Sequence, residues 1–489
     1  MRRREFLLGS ISVLPLGLLA TGCATAPPAA ENVGAVDDDF LRELMAEEAD
    51  GAFEMTEQVQ RTLTTREWKS LNTVGSQWNW WETPKDERPA VSWPEAALAP
   101  DYAPFISLGP PPEQFSVSHD TLAWLAERNH FDLGDDEMVV IGLRGARLPD
   151  GATDSGWQDV VEAELEVPNH IDPRCLIGAW DRAGKRVRLF HGSTVPEVSY
   201  MWAQCRLDSG ANLMPTGLYA YEVGVHPNDS KRTPQIGALR LAGYGFNADG
   251  PASPVIYTLR TLDNLTYSVG DGAEVWDRCA PGNNIHAAIF GGPSDKYLVG
   301  AGGQNYSSAG CQTIPGGYEL YWGDDGKRWY SKEPIGTWRD FREAIGLAVS
   351  PVVVKRRACS DDGKRFRYML LTGWDASFAS APDEKVLEAY FPLRPGSSGP
   401  DVEKLQKAAY SKPDGWFGAG TADAVVYLKK TDLGIAETPV TLNLAALDKA
   451  PPPDEVEESE AEERETSERI PAEEPDISSD AAAEGEHET

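Results

Sequence analysis

The chain has 489 residues, long enough for two or three folded domains, with 77 acidic against 45 basic side chains and a formal net charge of −32. A surface so negative is repelled by phosphate backbones, which argues against nucleic acid as a partner. Apart from an N-terminal run, no stretch is apolar over the ~20 residues that a spanning helix needs.

That run extends from Phe6 to Leu19 behind Arg2, Arg3 and Arg4. It is too short to span a bilayer and reads as a signal peptide occupying residues 1–23. Arg3-Arg4-Glu5-Phe6-Leu7 resembles a twin-arginine export signal, and Leu19-Ala20-Thr21-Gly22-Cys23 resembles a lipobox. The resemblance implies acylation of Cys23 and a lipid anchor in the cell envelope. Ala24 after the cysteine resembles the sorting signal that, in an organism with two membranes, sends a lipoprotein to the periplasmic side of the outer membrane. Residues 24–37, rich in Ala and Pro, read as a flexible tether.

Residues 38–135 are expected to form an N-terminal helical, Trp-rich region. Phe40, Leu41, Leu44 and Met45 have helical spacing, and Trp68, Trp78, Trp80, Trp81 and Trp93 crowd the stretch that follows. Exposed Trp can stack on sugar rings, but packing of a helical cap is the simpler use of these residues. His119 to Asn129 reads as a short helix. From 136 to 380 the pattern changes to strands, with Val139-Val140-Ile141, Arg186 to Phe190, Tyr219 to Val225 and Pro254 to Leu259 separated by Gly, Pro and Asp turns.

The chemistry concentrates in Asn284-Ile285-His286 and Ser307-Ser308-Ala309-Gly310-Cys311-Gln312-Thr313. A cysteine after a glycine, with small polar residues before it and a histidine upstream, suits nucleophilic acyl transfer. The thiolate attacks, the imidazole takes its proton, and the glycine lets backbone amides approach the oxyanion. Pro215-Thr216-Gly217-Leu218-Tyr219, then His286, then Ser308-Ala309-Gly310-Cys311 resembles the L,D-transpeptidase catalytic domain over roughly residues 172–350. The resemblance implies that Cys311 attacks the carbonyl of a diamino-acid residue in a peptide stem, releases D-alanine and passes the acyl group to an amine. His286 would be the base, Ser308 would contact His286 or substrate, and the amides near Gly310 and Cys311 would hold the oxyanion. Thr313 stands where that family has arginine, which leaves Arg240 or Arg278 to meet a substrate carboxylate. His226, closing the Tyr219 to Val225 strand, is a candidate to line the same cleft. No cofactor or metal is expected.

With Cys23 acylated, Cys175, Cys205, Cys279, Cys311 and Cys359 remain. They could form up to two disulfides in any of three connectivities, leaving one thiol free, and the motif nominates Cys311 for it. Alternatively, all five stay reduced.

Residues 392–446 are expected to form a small all-α unit. A Gly-rich turn leads into an amphipathic helix near Asp401, Asp414-Gly415 makes a turn, and Thr421 caps a second helix with Ala424, Val425 and Leu428 inside. Pro395-Gly396-Ser397-Ser398-Gly399-Pro400-Asp401 followed by Asp414-Gly415-Trp416-Phe417-Gly418 and Thr421 resembles the peptidoglycan-binding type 1 domain. The resemblance implies a three-helix bundle that binds glycan, with Asp414, Trp416, Phe417 and Thr421 as candidate contacts. From Pro451 to Thr489, sixteen Asp and Glu stand against two Arg, which describes a disordered acidic tail.

The sequence thus predicts a mainly β catalytic-type domain with a small three-helix binding domain and disordered termini. Its expected partners are peptidoglycan and, through the N-terminal lipid, a membrane. The expected activity is cysteine-dependent transfer or hydrolysis on stem peptides; the alternative is a non-catalytic wall tether.

Overall fold

The computed structural model describes residues 107–198, 211–226, 235–244, 255–261, 274–279, 282–288, 308–322, 329–349, 353–355, 358–431 and 441–443. The signal peptide, Cys23, the tether, the five crowded Trp, Cys205 and the acidic tail lie outside them. No described helix is long and apolar enough to cross a membrane.

The architecture is mostly β. Its centre is an eight-stranded sheet of β1 (Met138–Arg144), β2 (Cys175–Asp181), β3 (Arg186–Gly192), β4 (Gly217–His226), β5 (Gln235–Tyr244), β6 (Ile285–Ala287), β7 (Gln312–Ile314) and β8 (Arg365–Thr372). The spatial order is β7-β6-β5-β4-β8-β1-β2-β3. The β1/β8 and β6/β7 pairs are parallel and the others antiparallel.

Side chains alternate across a strand, and here both faces are buried. In β8, Tyr368 and Leu370 join one apolar cluster while Met369 and Leu371 join another. The first cluster also takes Phe190 from β3 and Ile314 from β7, strands at opposite edges of the sheet. They can share one core because the sheet curls until its edges nearly meet. Ser193, just past β3, donates its N–H to the Thr313 carbonyl at 2.9 Å and accepts the Thr313 N–H at 2.8 Å. Gly192 permits this seam: a Cβ there would lie 2.6 Å from the Thr313 carbonyl oxygen. Trp338 and Phe341 of the helix Thr337–Ala344 fill the same inner core.

The outer cluster is covered by two helices, α1 (His119–Arg128) and a second one, Gly373–Ser380. The first agrees with the helix read from His119 to Asn129; Ser118 caps it through the Thr121 N–H, and Asn129 ends it. Thr372 and Asp375 form a reciprocal capping box on the second.

Within 392–446 the described residues form two helices, Pro400–Ala408 and Ala419–Thr431, and a short ladder of Pro392–Leu393 with Leu442–Asn443. Two of the three expected helices are thus present among the described residues, and residues 432–440 lie outside them. The segment is also knitted into the sheet. The Leu218 N–H donates to the Pro395 carbonyl at 2.9 Å, and a Cβ on Gly396, at φ +90°, would collide with Leu218. Arg394, fully buried, donates to Asp375 at 2.8 Å and to the Thr216 hydroxyl at 2.8 Å.

Candidate functional site

Strands β6 and β7 run parallel with Ile285 opposite Gln312 and His286 opposite Thr313. Paired residues share a face and neighbours along a strand alternate. Ile285, Ala287 and Ile314 therefore point into the inner core, which puts Asn284, His286, Cys311 and Thr313 together on the other face. A ring nitrogen of His226, a ring nitrogen of His286 and the Cys311 sulfur lie within 4.8 Å of one another. The two rings stack with centroids 4.6 Å apart and 18° between planes. The structure thus joins His226, at the end of β4, to the two residues of the motif.

His286 is 2 % exposed, and its Nδ1 lies 2.7 Å from the Ala287 carbonyl. A carbonyl only accepts, so Nδ1 carries the ring proton and Nε2 is the basic nitrogen. Burial lowers the imidazole to about 4, opposed by that backbone bond. Burial also pushes the Cys311 thiol up to about 12, while the Asn284 backbone pulls the other way. Both groups are neutral at rest. A thiolate at Cys311 would therefore form only as its proton left for the imidazole, rather than waiting as half of a thiolate–imidazolium pair.

Ser308 does not reach towards His286. Its Oγ donates to the Cys311 carbonyl at 2.7 Å and accepts the Gly310 N–H at 3.1 Å, closing the turn that presents the cysteine. The Gly310 amide is thereby occupied and is a poor choice for an oxyanion donor. Gly310 sits at φ 137°. Gln312 fastens the same turn from the other side, donating to the Gly310 carbonyl at 3.2 Å and accepting from Tyr368 at 3.3 Å. Arg240 is exposed on β5, in register with Glu222, and the Arg278 side chain lies outside the described residues. The Thr313 hydroxyl is buried on the site face with no hydrogen-bond partner among the described residues.

Two imidazoles and a thiol could also hold a soft divalent cation, a use the sequence reading did not anticipate. Cys175, Cys311 and Cys359 are all buried, free thiols, so none of the three takes part in a disulfide. Burial pushes Cys359 up to about 11 as well.

The candidate glycan contacts divide. Phe417 is fully buried in the core of its two helices. Thr421 is 3 % exposed, lies within the helix Ala419–Thr431 rather than capping it, and donates to the Trp416 carbonyl at 3.1 Å. Asp414 is exposed but braces the loop, accepting from Gln406 at 2.7 Å and from the Trp416 N–H at 3.0 Å. Gln406 is the hub, since it also donates to the Thr421 hydroxyl and accepts the Gly415 N–H. Asp414 and the half-buried Trp416 keep surface for a ligand.

Comparison with protein-family models, with curated proteins and with solved structures finds no match.

Proposed function

We propose that this chain is an exported envelope lipoprotein that associates with peptidoglycan and uses Cys311 for acyl transfer or hydrolysis on stem peptides. The observation that supports this most is the placement of Cys311 and His286 on one face of the sheet, sulfur and ring nitrogen in one cluster, with the His286 proton held on Nδ1. As the Cys311 sulfur bonds to a stem-peptide carbonyl carbon, its proton passes to His286 Nε2. Collapse of the tetrahedral adduct breaks the amide bond, and the leaving amine, D-alanine in the family resembled, takes that proton. The thioester then yields to an amine, forming a cross-link, or to water, releasing an acid.

On this reading the N-terminal signal routes the folded protein outward, Cys23 carries the lipid, and the segment around Trp416 holds the wall. The fold would be of L,D-transpeptidase type with a peptidoglycan-binding region, between an N-terminal tether and an acidic tail. A second reading, a non-catalytic wall tether, is favoured by one observation: Cys311 is only 6 % exposed.

A carbapenem separates the two. Acylation should raise the intact mass of the full chain by one adduct, absent from Cys311→Ala. An unmodified wild-type mass under conditions that label a known cysteine transpeptidase favours the tether. Co-sedimentation of the full chain with purified sacculi tests wall binding, and recovery in the supernatant refutes it.

A further inference from the structure

Two histidines and a cysteine this close form a donor set that zinc takes readily, and the outcome depends on which ring nitrogens have lone pairs to give. The Nδ2 of Asn284 lies 2.7 Å from His226 Nδ1, while its Oδ1 accepts the Leu241 N–H at 3.0 Å. The second contact fixes the first. Turning the amide over would set its NH2 against the Leu241 N–H. An amide nitrogen only donates, so His226 Nδ1 accepts, and the ring proton resides on Nε2. His286 holds the opposite tautomer, with its proton on Nδ1 against the Ala287 carbonyl.

We propose that Asn284 is a tautomer lock that makes His226 a hydrogen-bond donor and keeps the trio from acting as a metal centre, so that the thiol stays available for covalent chemistry. The lone pair of Nδ1 is engaged by the Asn284 amide and Nε2 holds the proton, so the ring has none to offer a cation. In catalysis, which rests on the acyl-transfer reading above, the His226 N–H is a neutral donor beside the base His286. Asn284 is then a positioning residue acting through His226. Metal sites show the reverse arrangement: a ligating imidazole donates its other N–H to a carboxylate or carbonyl.

Replacing one atom of the lock should invert it. In Asn284→Asp one oxygen keeps the Leu241 bond, and the other can only accept, so His226 Nδ1 must donate and Nε2 gains a lone pair. Added to the reduced full chain, Co2+ should give thiolate-to-cobalt absorption in Asn284→Asp at concentrations ~10-fold or more below those needed by wild type. The band should vanish in Asn284→Asp/Cys311→Ser. Equal Co2+ affinity in wild type and variant overturns the proposal. The wild-type chain provides a test that no folding defect can spoil. It has seven histidines, and 15N-histidine labelling with long-range nitrogen–proton correlation should show His226, assigned with His226→Gln, protonated at Nε2, and His286 at Nδ1. A proton on His226 Nδ1 refutes the lock. Neither readout depends on turnover, so an absent carbapenem adduct would count against the transpeptidase reading and leave the lock standing.

Discussion

At the scale of single residues, the buried His286 and Cys311 make two predictions. His286 is held neutral down to about 4, so carbapenem acylation should show no inflection near the ordinary histidine value of about 6.5 and should fall only as the pH approaches 4. An inflection near 6.5 would mean that another imidazole, or a more open site, supplies the base. The same depression has a thermodynamic side, shared with His170, also lowered by burial to about 4. Between the unfolded and folded values the unfolded chain binds protons that the native chain does not. Stability is therefore full above about pH 6.5 and is lost progressively towards pH 4, on the order of 3 kcal/mol per histidine. Urea midpoints at neutral and acid pH measure it. Thr313 makes a third prediction. Its buried hydroxyl has no partner among the described residues, so Thr313→Val should not destabilise the fold, whereas a substrate that uses the hydroxyl should lose about 1 kcal/mol, read as a several-fold slower acylation.

At the scale of elements, the strands and α1 were legible because local chemistry makes them. Val139-Val140-Ile141 and Tyr219 to Val225 are dense in β-formers between turn residues, and His119 to Asn129 has a capping serine before it and a helical apolar stripe. The pairing of elements was not legible, since it depends on residues remote in sequence. Ser193 meets Thr313 only when the sheet has curled, and Asn284 meets His226 across 58 positions. Ser308 illustrates a subtler loss. Its type and spacing suit a catalytic contact as well as a turn, and only geometry shows that its hydroxyl is spent on the Cys311 carbonyl. Likewise Phe417 and Thr421 sit in a recognisable motif because they build it. Gly192→Ala tests the seam at this scale. A methyl 2.6 Å from the Thr313 carbonyl must push β7 away, costing about 1–3 kcal/mol. Because β7 carries on from Cys311, acylation should slow more than the melting shift explains; equal acylation at the lower stability would uncouple seam from site.

At the scale of the whole molecule, the C-terminal segment is a structural part of the β architecture as well as a candidate wall anchor. The buried Arg394–Asp375 pair, with Tyr390 donating to Asp375 at 2.7 Å, joins it to the helix that covers the outer core. Removing the guanidinium leaves the buried Asp375 carboxylate its hydrogen bonds from Thr372 and Tyr390 but takes away its buried countercharge. Arg394→Met should therefore cost about 3–5 kcal/mol, and Arg394→Met/Asp375→Leu should recover only part of it, because the second change also removes the Thr372 capping partner. Truncation before Pro392 should do at least as much damage, and a truncated chain that melts like the full one would show the segment to be an independent appendage. Sacculus binding is thus best assayed on the full chain.

The seam has a kinetic meaning too. Eight strands are tied by ladders, yet among the described residues the ring is completed by a reciprocal pair of amide bonds between Ser193 and Thr313, two residues from the buried sulfur, and by the Glu197 N–H donated to the Ser308 carbonyl. A ring fastened so briefly parts there at a smaller free energy than it melts elsewhere. The Thr313 amide should exchange its hydrogen for deuterium ahead of the Tyr368 and Leu370 amides in β8. A thiol reagent should modify Cys311 at a rate set by how often the seam parts, so the thiol's reactivity becomes a clock for the breathing of the sheet.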